Sequence, residues 1–184
     1  MIHISGRGAH TLILSTLCAR CSLGETGCCA SPPAIEWSDL GRIVARGGRA
    51  FVLDRIADGS LRPGPRGLFI TRVAPREGAS LRCVFHGPEG CTLPPARRAA
   101  TCDYYVCDDV IAEAGEARGD PIARRARRTL DRLVESFGRF DRTLADRVRA
   151  RWPEGPPWDA PFLDWVAAEL EEVSGGAIVR EERG

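Results

Sequence analysis

Cysteine is the residue type whose number and spacing say most about chemistry in this 184-residue chain. The eight stand at Cys18, Cys21, Cys28, Cys29, Cys83, Cys91, Cys102 and Cys107, and the last 77 residues hold none. Written as spacings they read C-x2-C-x6-C-C, a gap of 53 residues, then C-x7-C-x10-C-x4-C. Two groups of four thiols, far apart in sequence, match the arithmetic of tetrathiolate metal sites. Thiolate is a soft donor that suits zinc or an iron–sulfur cluster. Disulfides are the first alternative, since the count is even, but no export signal is visible and cytosolic disulfides are seldom kept. Inert buried thiols are the second, but burial alone would scatter cysteines along the whole chain. Metal or cluster ligation is favoured over both.

The adjacent Cys28 and Cys29 add a constraint. Neighbouring side chains of extended backbone point to opposite sides, so the pair points to two centres or to a multinuclear cluster. His86 lies between Cys83 and Cys91 and is a minor candidate ligand, because a lone turn histidine is more often solvated. His3 and His10 fall in a start expected to be unanchored. A four-thiolate zinc site carries a formal charge of about −2 and needs N–H donors and cations around it. Arg20, Arg82, Arg97 and Arg98 adjoin ligand positions and are candidates for that role, with surface solvation as the alternative.

An early C-x2-C followed by a C-C pair resembles the signature of the YkgJ-type cysteine-cluster family, whose members are described as zinc- or iron-chelating. The later stretch "CVFHGPEGCTLPPARRAATCDYYVC" extends the resemblance. Cys83 with Phe85, Gly90-Cys91 with Leu93, Arg97 or Arg98, and Cys102 with Tyr104 and Tyr105 occupy places similar to the family's. The likeness covers roughly residues 16 to 107. Two departures stand out. "SLGETG" puts six residues before the C-C pair where the family has about two, and "RRAATC" lacks the family's Arg-Pro. Cys107 is an additional late cysteine. The resemblance implies metal binding by the cysteines. Flagellin lysine methylases contain a similar cluster, which extends the implied range to a component of a modifying enzyme.

The elements that must position these thiols are legible in outline. "EWSDLGRIVARGG" predicts a short helix capped by Ser38, with Leu40, Ile43 and Val44 on its apolar face and Gly47 as its stop. "RAFVLDRIADG" predicts a second. After the punctuation "RPGPRG", the runs "LFITRV" and "SLRCVF" predict a small hairpin that delivers Cys83 from its second strand. "HGPEGCTLPP" reads as a loop wrapped around a metal. From Asp120 to Arg151 an apolar recurrence at three and four residues, Ile122 through Val148, predicts one long helix, kinked at Gly138. A second starts near Asp159 and Pro161, with Phe162, Val166, Leu170 and Val173 as its stripe.

The expected fold is therefore α+β and mainly helical. An N-terminal segment (1–15) precedes a metal-organised cysteine-cluster domain with a short β-hairpin (16–117) and a helical pair packed on it (118–184). The apolar content of 43% and charged content of 28% are those of a soluble globule. No run approaches the ~20 apolar residues that span a bilayer, and the start is a poor match to a secretory or lipoprotein signal. A cytoplasmic protein with no membrane partner is expected.

All 26 basic residues are arginine, which reads as codon bias. Residues 118–151 hold eleven Arg against five acids, and residues 152–184 hold two Arg against eight acids. Complementary packing of the two helices is favoured over nucleic-acid contact by "RRARR". No Ser/His/Asp arrangement, phosphate loop or H-E-x-x-H is present, so no catalytic residue is assigned. The sequence reads as a metal-binding protein holding zinc or an iron–sulfur centre. The alternatives are an iron–sulfur redox protein and a zinc-dependent nucleic-acid or protein adaptor.

Overall fold

Apolar alternation in the first residues builds the first element of the structure, a computed structural model that describes residues 1–6, 8–20, 24–117 and 119–176. Strand β1 (Ile2–Ser5) pairs antiparallel with β2 (Leu12–Ser15), Ile2 opposite Ser15. Ile2, Ile13 and Leu17 enter the core, and the Ile2 N–H donates to Asp120 Oδ2 at 2.8 Å. The start of the chain is thus anchored, contrary to expectation. The turn depends on Gly6 at φ +74°, where a Cβ would fall 2.1 Å from the His10 carbonyl oxygen.

A three-stranded antiparallel sheet follows, in the order β3 (Ile35–Glu36), β5 (Gly67–Ile70), β4 (Leu61–Gly64). "RPG", expected as punctuation, forms the end of β4, with Pro63 opposite Leu68. Pro fits there because β4 is an edge strand. Helix α1 (Trp37–Ile43) springs directly from β3, and every one of its residues is buried. Gly47, at φ +73°, breaks it, and a wide turn leads into α2 (Arg49–Ala57).

Ser38 is not the cap of α1. It lies inside the helix, whose cap position is Glu36 with no side-chain cap bond. The Ser38 N–H instead donates to Asp141 Oδ1 at 2.7 Å, so a carboxylate on another helix serves an orphan amide of the first turn. That other helix is the long one, running from Ile122 to Arg151 without a break at Gly138. Asp120 Oδ1 accepts from the Ile122 N–H at 2.9 Å, and Ala126, Leu130, Leu133, Phe137, Leu144 and Val148 are buried on one face.

The final helix, Ala160–Val173, begins with Asp159 accepting from the Phe162 N–H at 2.9 Å. Phe162, Val166 and Leu170 are buried as the stripe requires, while Val173 is half-buried. It crosses α1 where Gly41 permits close approach: a Cβ at 41 would stand 2.8 Å from Leu170 Cβ. Trp37, Trp152, Trp158, Phe162 and Trp165 interlock at this end, with Trp37 stacked on Trp158 at 5.7 Å and Trp152 edge-on to Trp165 at 4.7 Å. The two C-terminal helices meet in charge through Arg147, which binds Glu169 and Glu172. Arg124, Arg125 and Arg128 are exposed. The architecture is α+β, mainly helical, with small antiparallel sheets. No described helix is long and apolar enough to cross a membrane.

Two outcomes follow from this packing. Gly41→Ala is expected to cost about 1–3 kcal/mol in urea unfolding, since the helix crossing has no room for a methyl group. Burial, with Asp39 and Glu36 near it, pushes the Asp141 carboxyl from 3.8 up to about 7, against the pull of the Ser38 N–H. The folded state then binds more protons than the unfolded state between these values, so stability falls as pH rises across that window. Asp141→Asn, which keeps an oxygen for Ser38, is expected to flatten that slope in melts taken from pH 4 to pH 7. The part that remains belongs to Asp103, which burial pushes up to about 6, and to Asp39, which burial also raises.

Candidate metal centre

Three short segments carry the late cysteines. β6 (Arg72–Val73) pairs antiparallel with β7 (Arg82–Cys83), Arg72 opposite Cys83, so Cys83 does arrive on the second strand of a hairpin. The expected metal loop is partly a second hairpin, β8 (His86–Gly87) with β9 (Gly90–Cys91). Gly90, at φ +105°, makes its tight turn. His86 stands directly opposite Cys91, which puts both side chains on one face of the ribbon. His86 Nδ1 is buried and has no hydrogen-bond partner among the described residues. Cys102 comes from α3 (Ala100–Tyr104), whose inward side is held by Tyr104 against Phe137 at a ring distance of 5.8 Å. Cys107 immediately precedes α4 (Asp108–Ala112).

The early pair lies in the 3-10 segment Gly24–Ala30, broken at Gly27. Arg72 reaches across from β6, its Nη1 at 3.5 Å from the Ala30 carbonyl oxygen. The Cys29 thiol is pushed up to about 11, first by burial and then by Cys83, Cys91 and Cys28, with Arg98 opposing. Cys102 is open to solvent on one side, yet its thiol sits among enough protein that desolvation drives it far above its ordinary value. Asp39, Cys91, Asp103 and Cys29 add to that rise. Burial raises Cys83 too, with Cys91 adding, while the Phe85 N–H hydrogen-bonds its sulfur and works the other way. An N–H aimed at a cysteine sulfur two residues earlier is the kind of contact that supports a bound thiolate.

Cys91 thus acts on Cys29, Cys83 and Cys102, and Cys83 acts on Cys29 although 53 residues lie between them in sequence. Cys28 and Cys107 share a different neighbour, the half-exposed Tyr105, whose phenol both of them raise after burial has done so. The adjacent cysteines therefore divide between two neighbourhoods. Among the described residues no three His, Cys, Asp or Glu groups close to ligand geometry. Cys29, Cys83, Cys91, Cys102 and Cys107 are free thiols, and Cys21 lies outside the described residues.

The expected supporting arginines divide as well. Arg98 acts on Cys29, and its Nε donates to the Leu93 carbonyl oxygen at 2.8 Å, bracing the segment after Cys91. Arg97 is engaged elsewhere, its Nη2 donating to the Arg46 carbonyl oxygen at 3.1 Å. Arg82 is half-buried on β7 beside Cys83, and the Arg20 side chain lies outside the described residues.

Sequence reading missed the pair that fixes Cys102. Asp39 and Arg42, both on α1 and both buried, form an ion pair at 3.3 Å. Asp39 Oδ1 also accepts from the Ala100 N–H at 2.7 Å, and Arg42 Nη2 donates to the Arg98 carbonyl oxygen. Their i, i+3 spacing was a visible signal, but such pairs usually lie on solvated helix faces. Asp39→Ala leaves a buried guanidinium uncompensated and frees the first amide of α3. An expected loss of about 3–5 kcal/mol in denaturant unfolding, with faster amide exchange at 100–104, checks this account. No family model, no curated protein and no solved structure matches the chain.

Proposed function

We propose that this chain binds zinc or an iron–sulfur centre through Cys29, Cys83, Cys91 and Cys102. Cys28 and Cys107, with Cys18 and Cys21, are then left for a second centre or for a larger cluster. The observation that carries the reading is convergence: the thiols of Cys29, Cys83 and Cys102, on three separate segments, are all raised, and Cys91 from a fourth contributes to each rise. Thiolates gathered this way are unfavourable without a cation, and a bound metal removes both the repulsion and the desolvation cost. His86, with a buried lone nitrogen on the Cys91 face, is an alternative fourth ligand. The resemblance to YkgJ-type cysteine-cluster proteins points the same way. The arrangement offers ligation, so the reading is metal binding, with electron transfer added if the centre is an iron–sulfur cluster.

Because raised thiols must lose protons to ligate, metal affinity is expected to fall as pH falls. Anaerobic purification with elemental analysis and a visible spectrum is the test. Colourless protein with zinc indicates a closed structural site, and brown protein with iron and sulfide indicates a cluster. Cys91→Ser and Cys102→Ser are expected to lose bound metal. Protein that is metal-free, fully folded and reactive at all eight thiols overturns the proposal.

A further inference from the structure

A cavity of about 630 Å³ opens between the N-terminal hairpin, α1 and the segment that follows Cys91. Its size lies within the ~300–1,000 Å³ of small-ligand sites. Leu12, Pro94 and Pro95 give it apolar walls, and Arg42, Arg46 and Asp103 give it charge. His10 joins them, its Nδ1 sharing a hydrogen bond with Arg46 Nη1 at 2.9 Å. Gly6 is what permits the turn that brings His10 here.

The charge around the cavity is unbalanced. Arg97 backs onto the wall through the Arg46 carbonyl oxygen, and Arg98 pairs with Asp103 at 3.4 Å. The four guanidiniums Arg42, Arg46, Arg97 and Arg98 therefore face the two carboxylates Asp39 and Asp103. Burial, then repulsion from Arg42 and Arg97, depresses the Arg46 guanidinium below its ordinary value, with Asp103 pulling the other way. Arg42 is only 2% exposed, and its buried Nε has no hydrogen-bond acceptor among the described residues. Concentrating guanidiniums in a half-enclosed, partly apolar site is costly unless an anion completes it.

We infer that this cavity binds a small organic oxyanion carrying two negative charges, held by Arg42 and Arg46 with its carbon body against Leu12, Pro94 and Pro95. Arginine suits carboxylate and phosphate oxygens equally, because its planar fork matches both. The apolar walls select an organic anion over a bare inorganic one. The inference uses none of the cysteines, and Asp103 of the cavity wall adjoins Cys102 of the proposed metal centre, which is why metal content is measured in the same test.

Calorimetric titration of the full chain with succinate, inorganic phosphate and the uncharged analogue succinamide tests it, with metal content measured alongside. Saturable binding of succinate and none of succinamide is expected. Arg46→Gln is expected to weaken succinate binding ~10-fold or more, the loss of one charge-assisted hydrogen bond, with metal content unchanged. Ala96→Glu, which places a carboxylate at a half-buried position of the wall, is expected to abolish it. This second variant keeps the test decisive if Arg46→Gln fails to fold. Phosphate competing with succinate is expected of one shared site. Failure of succinate to saturate, equal heats from succinamide, or unchanged affinity in both variants overturns the inference.

Discussion

The buried ion pair between Asp39 and Arg42 is the constraint on which the rest of the molecule turns. α1 lies in the interior, so these two charges are almost entirely withdrawn from water. They are tolerable only because each has further work: Asp39 takes the amide that starts α3, and Arg42 takes the carbonyl two residues before it. Burial pushes the Asp39 carboxyl up while Arg42 and the Ala100 N–H hold it down. A buried pair of this kind adds little net stability over an apolar substitute, but breaking it is expensive. Its effect is positional. It fixes where residues 98 to 100 meet the helix core, and Cys102 sits two residues further on.

The cysteine segments need such an external support because they have little internal structure of their own. Each hairpin there is two residues per strand, and α3 is a single turn and a half. Isolated hairpins of this size are marginal in water. Arg72 on Ala30, Arg98 on Leu93 and Tyr104 on Phe137 tie them to one another and to the helices. A scaffold assembled from short ties can hold thiols near each other. For the proposed metal centre, closing them to ligand distance would be the step in which metal binding and folding energy become the same quantity.

What could be read from sequence, and what could not, follows the range of each interaction. The long helix and its successor were legible because their apolar stripes and the Asp159 cap are local, repeating signals. Cys83 on a hairpin was legible for the same reason. Ser38 misled because the capping signal is also local, whereas the oxygen that serves its amide is on Asp141, 103 residues away. The N-terminal strands were missed because four-residue runs are weak without their partner, and their anchor, Asp120, is equally remote. Cys28 and Cys29 lie in a 3-10 segment and not in the extended backbone that the expectation of opposite sides assumed, and which late cysteine each would meet was not legible.

The arginine-only composition takes on a second meaning in this light. Codon bias is sufficient to explain the absence of lysine, but it does not explain which arginines are buried. Arg42, Arg97 and Arg98 use their planar forks on carbonyl oxygens at fixed angles, a task a lysine ammonium performs less well because its single charge centre imposes no plane. Two of these contacts, from Arg42 and Arg98, satisfy carbonyls of the stretch from Leu93 to Arg98, which has no strand or α-helix to do so, and the third ties Arg97 of that stretch to Arg46. Guanidinium groups thus do for this segment what a hydrogen-bond ladder does for a sheet. The excess positive charge beside it is a consequence of that solution, since every carbonyl bound this way brings a cation into the interior.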